Sequence, residues 1–158
     1  MSGNARSRLL AELSVVARRY IASYALFNQA VADHLGLHPT DLQCLNLLTL
    51  EGGPVTTGRI AELTGLTTGA ATRLVDRLER AGYVERRRDA EDRRRVLVAP
   101  VPERAAEFER VWERLGGGWL ALFDDLDDEQ LALFIDHMRR TTEFSARQTA
   151  RLRAGEVP

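Results

Sequence analysis

The sequence predicts a mainly α-helical chain, with a helix-turn-helix and a two-stranded β ribbon between long N- and C-terminal helices. Three observations predict this. Residues 56–99 read as helix, glycine corner, helix, and then two arginine-rich strands about a polar turn. Residues from about 5 to 35 carry one apolar stripe at helical spacing. From Glu103 onward, apolar residues recur every three or four positions for more than two heptads.

The first helix runs from about Ala5 to Leu35, with Leu9, Leu13, Val16, Tyr20, Tyr24, Phe27 and Val31 on one stripe, and Gly36 breaks it. The start of that stripe precedes anything in the chain able to cover it, so a partner is expected, such as a second copy. A second helix opens at His38-Pro39-Thr40-Asp41, where Pro39 suits the first helical position, and continues to about Leu50. After the loop Glu51-Gly52-Gly53-Pro54, Val55 reads as a short strand, and Thr56 caps a third helix over Thr57–Leu63.

The corner is Glu62-Leu63-Thr64-Gly65-Leu66, with glycine where a sharp bend needs a residue without a Cβ. The fourth helix, about Thr67 to Ala81, starts on capping threonines. It carries Ala70, Ala71, Leu74, Val75 and Leu78 on one face and Thr68, Thr72, Arg73, Arg77 and Arg80 on the other. Gly82 ends it. The ribbon follows as Tyr83–Arg88, a turn through Asp89-Ala90-Glu91-Asp92, and Arg93–Ala99, stopped by Pro100 and Pro102.

A fifth helix is predicted from near Glu103, with Ala105, Phe108, Val111, Trp112, Leu115, Trp119, Leu122 and Leu126 in its repeat. Gly116-Gly117-Gly118 interrupts it, and each glycine costs about 1 kcal/mol in a helix interior, so a kink, a bend or close helix packing is expected there. Asp127 with Gln130 forms a capping box for a last helix over about Asp128 to Arg153, with Leu131, Phe134, Ile135 and Met138 on its apolar face.

Composition narrows the function. The chain has 158 residues, 44% hydrophobic and 28% charged, with net charge −1. This fits a soluble globular chain of one domain, or one core plus a dimerisation element. Charge is unevenly placed: ten Arg face seven acids between Arg59 and Arg95, against three Arg and nine acids between Glu103 and Glu129. A basic middle on a near-neutral chain fits a local phosphate-binding face. The single cysteine, Cys44, excludes an internal disulfide and suits a reducing cytoplasm. The opening MSGNARSRLLAELS lacks the apolar core of a signal peptide, and no apolar run approaches a membrane span.

The order of elements resembles the MarR family of winged helix-turn-helix regulators. The resemblance runs from about Leu9 to Arg140, and its most specific residues are LTGLTTGAATRLVDRLERAGYVERR and the ribbon turn DAEDRRRVLV. It implies a winged helix-turn-helix DNA-binding domain at 36–102, a two-stranded β-wing, and a helical dimerisation region at 1–35 and 103–158. It also implies a homodimer built from the first, fifth and sixth helices. The expected activity is sequence-specific repression of transcription on double-stranded DNA, released when a small molecule binds between the dimer part and a DNA-binding lobe. By the same resemblance, Arg94 enters the minor groove and Asp92 braces the wing turn. His38, at a position where the family often has a better helix cap, and the glycine triplet depart from the pattern.

The residues themselves suit DNA. A major groove accepts a helix whose N-terminal residues reach base edges. Thr67, Thr68, Gly69, Ala70 and Thr72 are small, offer hydroxyls and let backbone amides approach phosphate. Arg73 is long enough for a guanine edge or a phosphate, and Arg77, one turn on, suits a phosphate. Thr56 and Thr57 open the preceding helix and join the candidate set. Arg93, Arg94 and Arg95 lie at the ribbon tip, where an arginine meets the strong negative potential of a narrow minor groove. A pseudo-palindromic operator follows from two-fold symmetry.

Tyr20, Tyr24, Phe27, Asn28, Cys44 and Trp112 form a candidate pocket for a phenolic or other small aromatic effector; the same residues also read as a core stripe, and Cys44 as a packed, inert thiol. His34, His38 and His137 make no metal-ligand cluster, so no metal is expected. No nucleophile, base and orienting group occur together and no glycine-rich phosphate loop is present, so neither an enzyme nor a cofactor is expected. Two alternatives stay open: a winged-helix protein-interaction module that binds an acidic partner, and a non-specific DNA-binding protein.

Overall fold

The computed structural model describes residues 2–116 and 118–156. In chain order these form α1 (Ser2–Leu35), α2 (Pro39–Leu48), β1 (Val55–Thr56), α3 (Thr57–Thr64), α4 (Thr68–Arg80), β2 (Val84–Arg88), β3 (Val96–Pro100), α5 (Pro102–Gly116), a 3-10 turn (Leu120–Phe123) and α6 (Asp128–Arg153). The chain divides into two compact units, Met1–Glu107 and Phe108–Pro158.

Local signals place the helices of the first unit. His38 caps α2, its Nδ1 accepting from the Thr40 amide at 3.3 Å, and Pro39 takes the first helical position. The Thr56 hydroxyl accepts from the Arg59 amide at 3.1 Å to start α3, and the Thr67 hydroxyl accepts from the Ala70 amide at 3.3 Å to start α4. Gly65 ends α3 at φ 68° and Gly82 follows α4 at φ 75°, both in the left-handed region that penalises a Cβ.

The core forms where α2, α3 and α4 pack on one another and on the sheet. Leu42, Ile60, Leu74, Val75, Leu78 and Val98 are fully buried in it. A large aliphatic side chain so buried contributes roughly 1.5–3 kcal/mol. The last turns of α1 join through Val31 and Ala32 against α2. The rest of α1 keeps its stripe bare: Leu9, Leu13, Val16, Tyr20 and Tyr24 are all about half exposed or more.

The expected two-stranded wing is the outer part of a three-stranded antiparallel sheet, in the order β1-β3-β2. Val55 pairs with Val98 and Thr56 with Leu97 on one side of β3; Val84 pairs with Pro100 and Arg88 with Val96 on the other. The second wing strand begins at Val96, not at Arg93 as the sequence reading has it, and Pro100 closes the strand instead of lying beyond it. Two aspartates account for the longer loop. Asp92 Oδ1 accepts from the Arg94 amide at 3.0 Å, the Asp92 carbonyl accepts from the Arg95 amide at 2.9 Å, and Asp89 Oδ1 accepts from the Glu91 amide at 2.9 Å. Side chains that bond their own backbone in this way compete with a strand ladder. Arg93, Arg94 and Arg95 therefore sit in the loop.

In the second unit, the expected fifth helix reaching toward Leu126 is cut short. α5 ends at Gly116, Gly118 lies in a turn, and Leu120–Phe123 form a 3-10 turn. Gly117 lies outside the described residues. Consecutive glycines at about 1 kcal/mol each outweigh what a few further helical bonds return. Trp119 packs edge-on to Phe123 at 4.9 Å, and Phe123 meets Phe134 of α6 at 5.2 Å. The capping box of α6 is complete: Asp127 accepts from the Gln130 amide at 2.8 Å, and the Gln130 side chain accepts from the Asp127 amide at 3.0 Å. Phe134, Ile135 and Met138 stand exposed along that helix.

Candidate nucleic-acid interface

The exposed side of α4 begins with small residues. Thr67, Thr68 and Gly69 are open to solvent, Ala70 is half-buried, and a Cβ placed on Gly69 would meet nothing within 4 Å. The Thr72 hydroxyl donates to the Thr68 carbonyl at 2.9 Å, so its hydrogen is committed and its lone pairs are left to accept. Thr56 and Thr57 are half-buried at the start of α3, the former engaged as its cap.

The arginines fall into two groups. The first is held by the protein itself. Arg59 donates to Glu51 at 2.9 and 3.0 Å and to Glu62 at 3.2 Å, tying α3 to the loop before β1. These bonds hold the Glu51 carboxyl below its usual range and the Arg59 guanidinium above its own. Arg77 donates from Nε at 2.9 Å and from Nη2 at 2.5 Å to the two oxygens of Asp41 on α2, and this pairing raises it against the opposing pull of burial. Arg86 on β2 donates to Asp76 at 2.6 Å and also to Glu79, both on α4. The Glu79 carboxylate further accepts from the Arg86 amide at 3.2 Å. Burial opposes the charge on Arg86, yet the two acids keep it raised. Arg87 pairs with Glu85, and Arg95 lies 3.6 Å from Asp89.

The second group is Arg73 and Arg80 on α4, Arg88 at the outer end of β2, and Arg93 and Arg94 in the loop. All five are exposed, and among the described residues none has an acidic side chain within ion-pair distance, Arg80 donating only to the Asp76 carbonyl at 3.1 Å. The wing thus offers unneutralised cations at its tip while its root is neutralised. Asp92 braces the tip through the Arg94 amide, not through the guanidinium.

Three participants escape the sequence reading. Asp41 is the partner of Arg77, although Asp76 and Glu79 are nearer in sequence; they serve Arg86 instead. Asp89 is a second brace of the wing loop, its amide donating to the Arg95 carbonyl at 3.1 Å. Arg88 is an additional free cation. Its neighbour Arg87 is paired two residues back along the strand, and the alternation of strand side chains is the signal that separates the two.

The candidate effector residues belong to both units, Trp112 to the second and the others to the first. Tyr20 and Tyr24 stack on α1 with ring centroids 6.4 Å apart, and Phe27 and Asn28 follow on the same helix. Trp112 belongs to the second unit, edge-on to Phe108 at 6.2 Å. Cys44 is 1% exposed inside the core, which leaves it no surface to offer a ligand. Burial, with the Asp41 charge adding to it, pushes its thiol up to about 12. Among the described residues no group of three or more His, Cys, Asp or Glu is placed to hold a metal ion, and no helix is long and apolar enough to cross a membrane.

A model of the MarR family matches residues 35–95. Over 150 residues the chain is 36% identical to the uncharacterized HTH-type transcriptional regulator YcgE of Bacillus subtilis (strain 168), with 95% of this chain and 97% of that protein covered. A MarR family protein from Bacillus stearothermophilus superposes with a TM-score of 0.68 at 24% identity, covering 88% of this chain and 96% of the other. NadR in complex with 4-hydroxyphenylacetate superposes at 0.64 with 19% identity, over 82% of this chain and 91% of that one. At these identities the two structures share the fold.

Proposed function

The chain belongs to the MarR family and is a DNA-binding transcriptional regulator, and from that premise we propose that it is a homodimeric, sequence-specific repressor released by a small aromatic effector. It is not an enzyme. The observation that carries the reading is the division of the arginines. The arginines at the root of the wing are turned onto acids of the protein, whereas Arg73, Arg80, Arg88, Arg93 and Arg94 gather without acid partners on the exposed side of α4 and on the wing, where a polyanion could meet them together.

In this reading, residues 36–102 are the DNA-binding domain. Thr67, Thr68, Gly69, Ala70 and Thr72 admit the N-terminal end of α4 to the major groove, and Arg73 reads a base edge. Arg94 enters the minor groove, with Arg93, Arg95, Thr56 and Thr57 at the backbone. Residues 1–35 and 103–158 form the dimerisation region. The bare apolar positions of α1 and of α6, each described above within its own unit, supply the surface a second copy would bury. Tyr20, Tyr24, Phe27, Asn28 and Trp112 are the proposed effector-binding residues. The likeness to a fold that holds 4-hydroxyphenylacetate in NadR makes phenolic acids the first ligands to try. The cytoplasm is the proposed compartment.

The test is selection from a random duplex pool, followed by affinity measurements over a range of salt. A pseudo-palindrome with half-sites about one helical turn apart is expected, bound by a dimer in sedimentation. Salt-dependent binding without an enriched motif would make it a general DNA binder. No salt-dependent binding at all would leave the acidic-partner module.

A further inference from the structure

We propose that Asp41 is a positioning residue for DNA binding, holding Arg77 as a pre-set phosphate clamp on α4. The inference rests on the DNA-binding reading above and extends it to a residue on a different helix. Asp41 is the buried charged residue of the described core, 2% exposed, in the first turn of α2. An unpaired buried carboxylate is strongly unfavourable, so this one has to be answered. Arg77, 36 positions away on α4, answers it with Nε and Nη2, one to each oxygen.

That fork leaves Nη1 without a partner among the described residues, on a side chain still 43% exposed. A guanidinium is planar with donors in fixed directions, so fixing one edge fixes where the remaining donors point. Arg77 stands one helical turn beyond Arg73 on the exposed stripe of α4. A loose arginine has to give up rotamer freedom to hold a phosphate; one already locked by Asp41 has done so in the free protein. The gain expected from this pre-organisation is roughly two- to tenfold in affinity per half-site.

The sign makes the inference testable. By charge alone, removing an acid near a polyanion strengthens binding; removing Asp41 should weaken it. The experiment measures duplex affinity and salt slope for wild type, Asp41→Asn, Arg77→Ala, the double variant and Arg77→Lys. Folding is verified by circular dichroism and the active fraction by stoichiometric titration. Arg77→Ala should lower the slope by about one unit per half-site. Asp41→Asn should weaken binding at an unchanged slope and have no further effect on the Arg77→Ala background. Arg77→Lys keeps the charge but cannot form the fork, so it should match Asp41→Asn; it carries the test if Asp41→Asn fails to fold. Unchanged or tighter binding by Asp41→Asn, additive effects in the double variant, or an unchanged slope for Arg77→Ala would reduce the pair to a tie between helices. Those results leave wild-type binding intact, whereas a wild type without salt-dependent duplex binding overturns the DNA reading itself.

Discussion

Two arginines of the same hairpin should respond in opposite ways to the same substitution. Arg94 is exposed, its amide is bonded to Asp92 and its guanidinium has no acid beside it. Arg94→Ala removes only a side chain that the folded protein does not use, so stability should stay within about 0.5 kcal/mol of wild type. Each phosphate neutralised contributes about 0.9 to the slope of log affinity against log salt, and an arginine held in the minor groove releases counterions in the same way. In the proposed dimer, which would lose one such cation per wing, the slope should therefore drop by about 1.8, and between 50 and 200 mM salt the affinity should fall roughly tenfold less than that of wild type. Arg86 is the converse. Its side chain is 27% exposed and answers Asp76 and Glu79, which are 44% and 40% exposed. Hydrogen bonds to charged groups contribute about 1.5–3 kcal/mol; screening at half-exposed acids reduces this, so Arg86→Ala should cost about 1–2 kcal/mol. Its salt slope should not change. The assays are urea unfolding and fluorescence anisotropy on a selected duplex. An Arg94→Ala variant with wild-type slope and affinity, or an Arg86→Ala variant that loses slope at full stability, would refute the division into held and free arginines.

Further outcomes follow from the same geometry. Arg73→Ala should relax base preference at one position per half-site, measured by repeating the duplex selection; a uniform loss across sequences would make Arg73 a phosphate contact. Leu74, fully buried on α4, should cost about 2–5 kcal/mol when cut to alanine, read from the urea midpoint. Cys44 should resist Ellman's reagent in the folded protein and react once it is unfolded, since its thiol is raised from 9.0 to about 12 behind a 1% exposed surface. The folded pKa lies above the unfolded one. The stability contributed by keeping this thiol neutral is therefore full below about pH 9 and fades as pH rises toward 12, and Cys44→Ala should flatten that decline in alkaline unfolding curves.

The parts of the fold that the sequence reveals are those fixed within a few residues. Thr56, Thr67 and the Asp127–Gln130 pair are recognisable as caps because a cap bonds an amide two or three positions on. Gly65 is readable because a left-handed corner excludes most other residues. The parts that escape depend on packing. Nothing in the spacing of Arg77 points to Asp41, since their meeting is decided by how α2 lies on α4. The same holds for Arg86, whose acids lie seven and ten positions back across an element boundary. The limits of the wing loop are missed for a different reason. Arg93-Arg94-Arg95 continues into Val96-Leu97-Val98 with no break in composition, and the break comes from aspartates bonding the backbone ahead of it. In α5 the apolar repeat continues past the glycines, but the backbone cost of glycine ends the helix at Gly116.

The held arginines also determine what can move independently. Arg86 joins β2 to α4, Arg77 joins α4 to α2, and Arg59 joins α3 to the loop before β1. Each of these ties crosses between elements, so the wing and α4 cannot tilt against each other without breaking charge-assisted bonds. The root of α5 is bound to the same body: Arg104 lies 4.5 Å over the Tyr83 ring, and the Val101 amide donates to the Tyr83 carbonyl at 2.9 Å. Tyr83 immediately precedes β2 and is 5% exposed, so the contact sits where wing and helix converge. A displacement of the first turn of α5 is therefore passed to α4 and the wing together. The internal geometry of Arg73 and Arg94 would then be preserved whenever that turn moves.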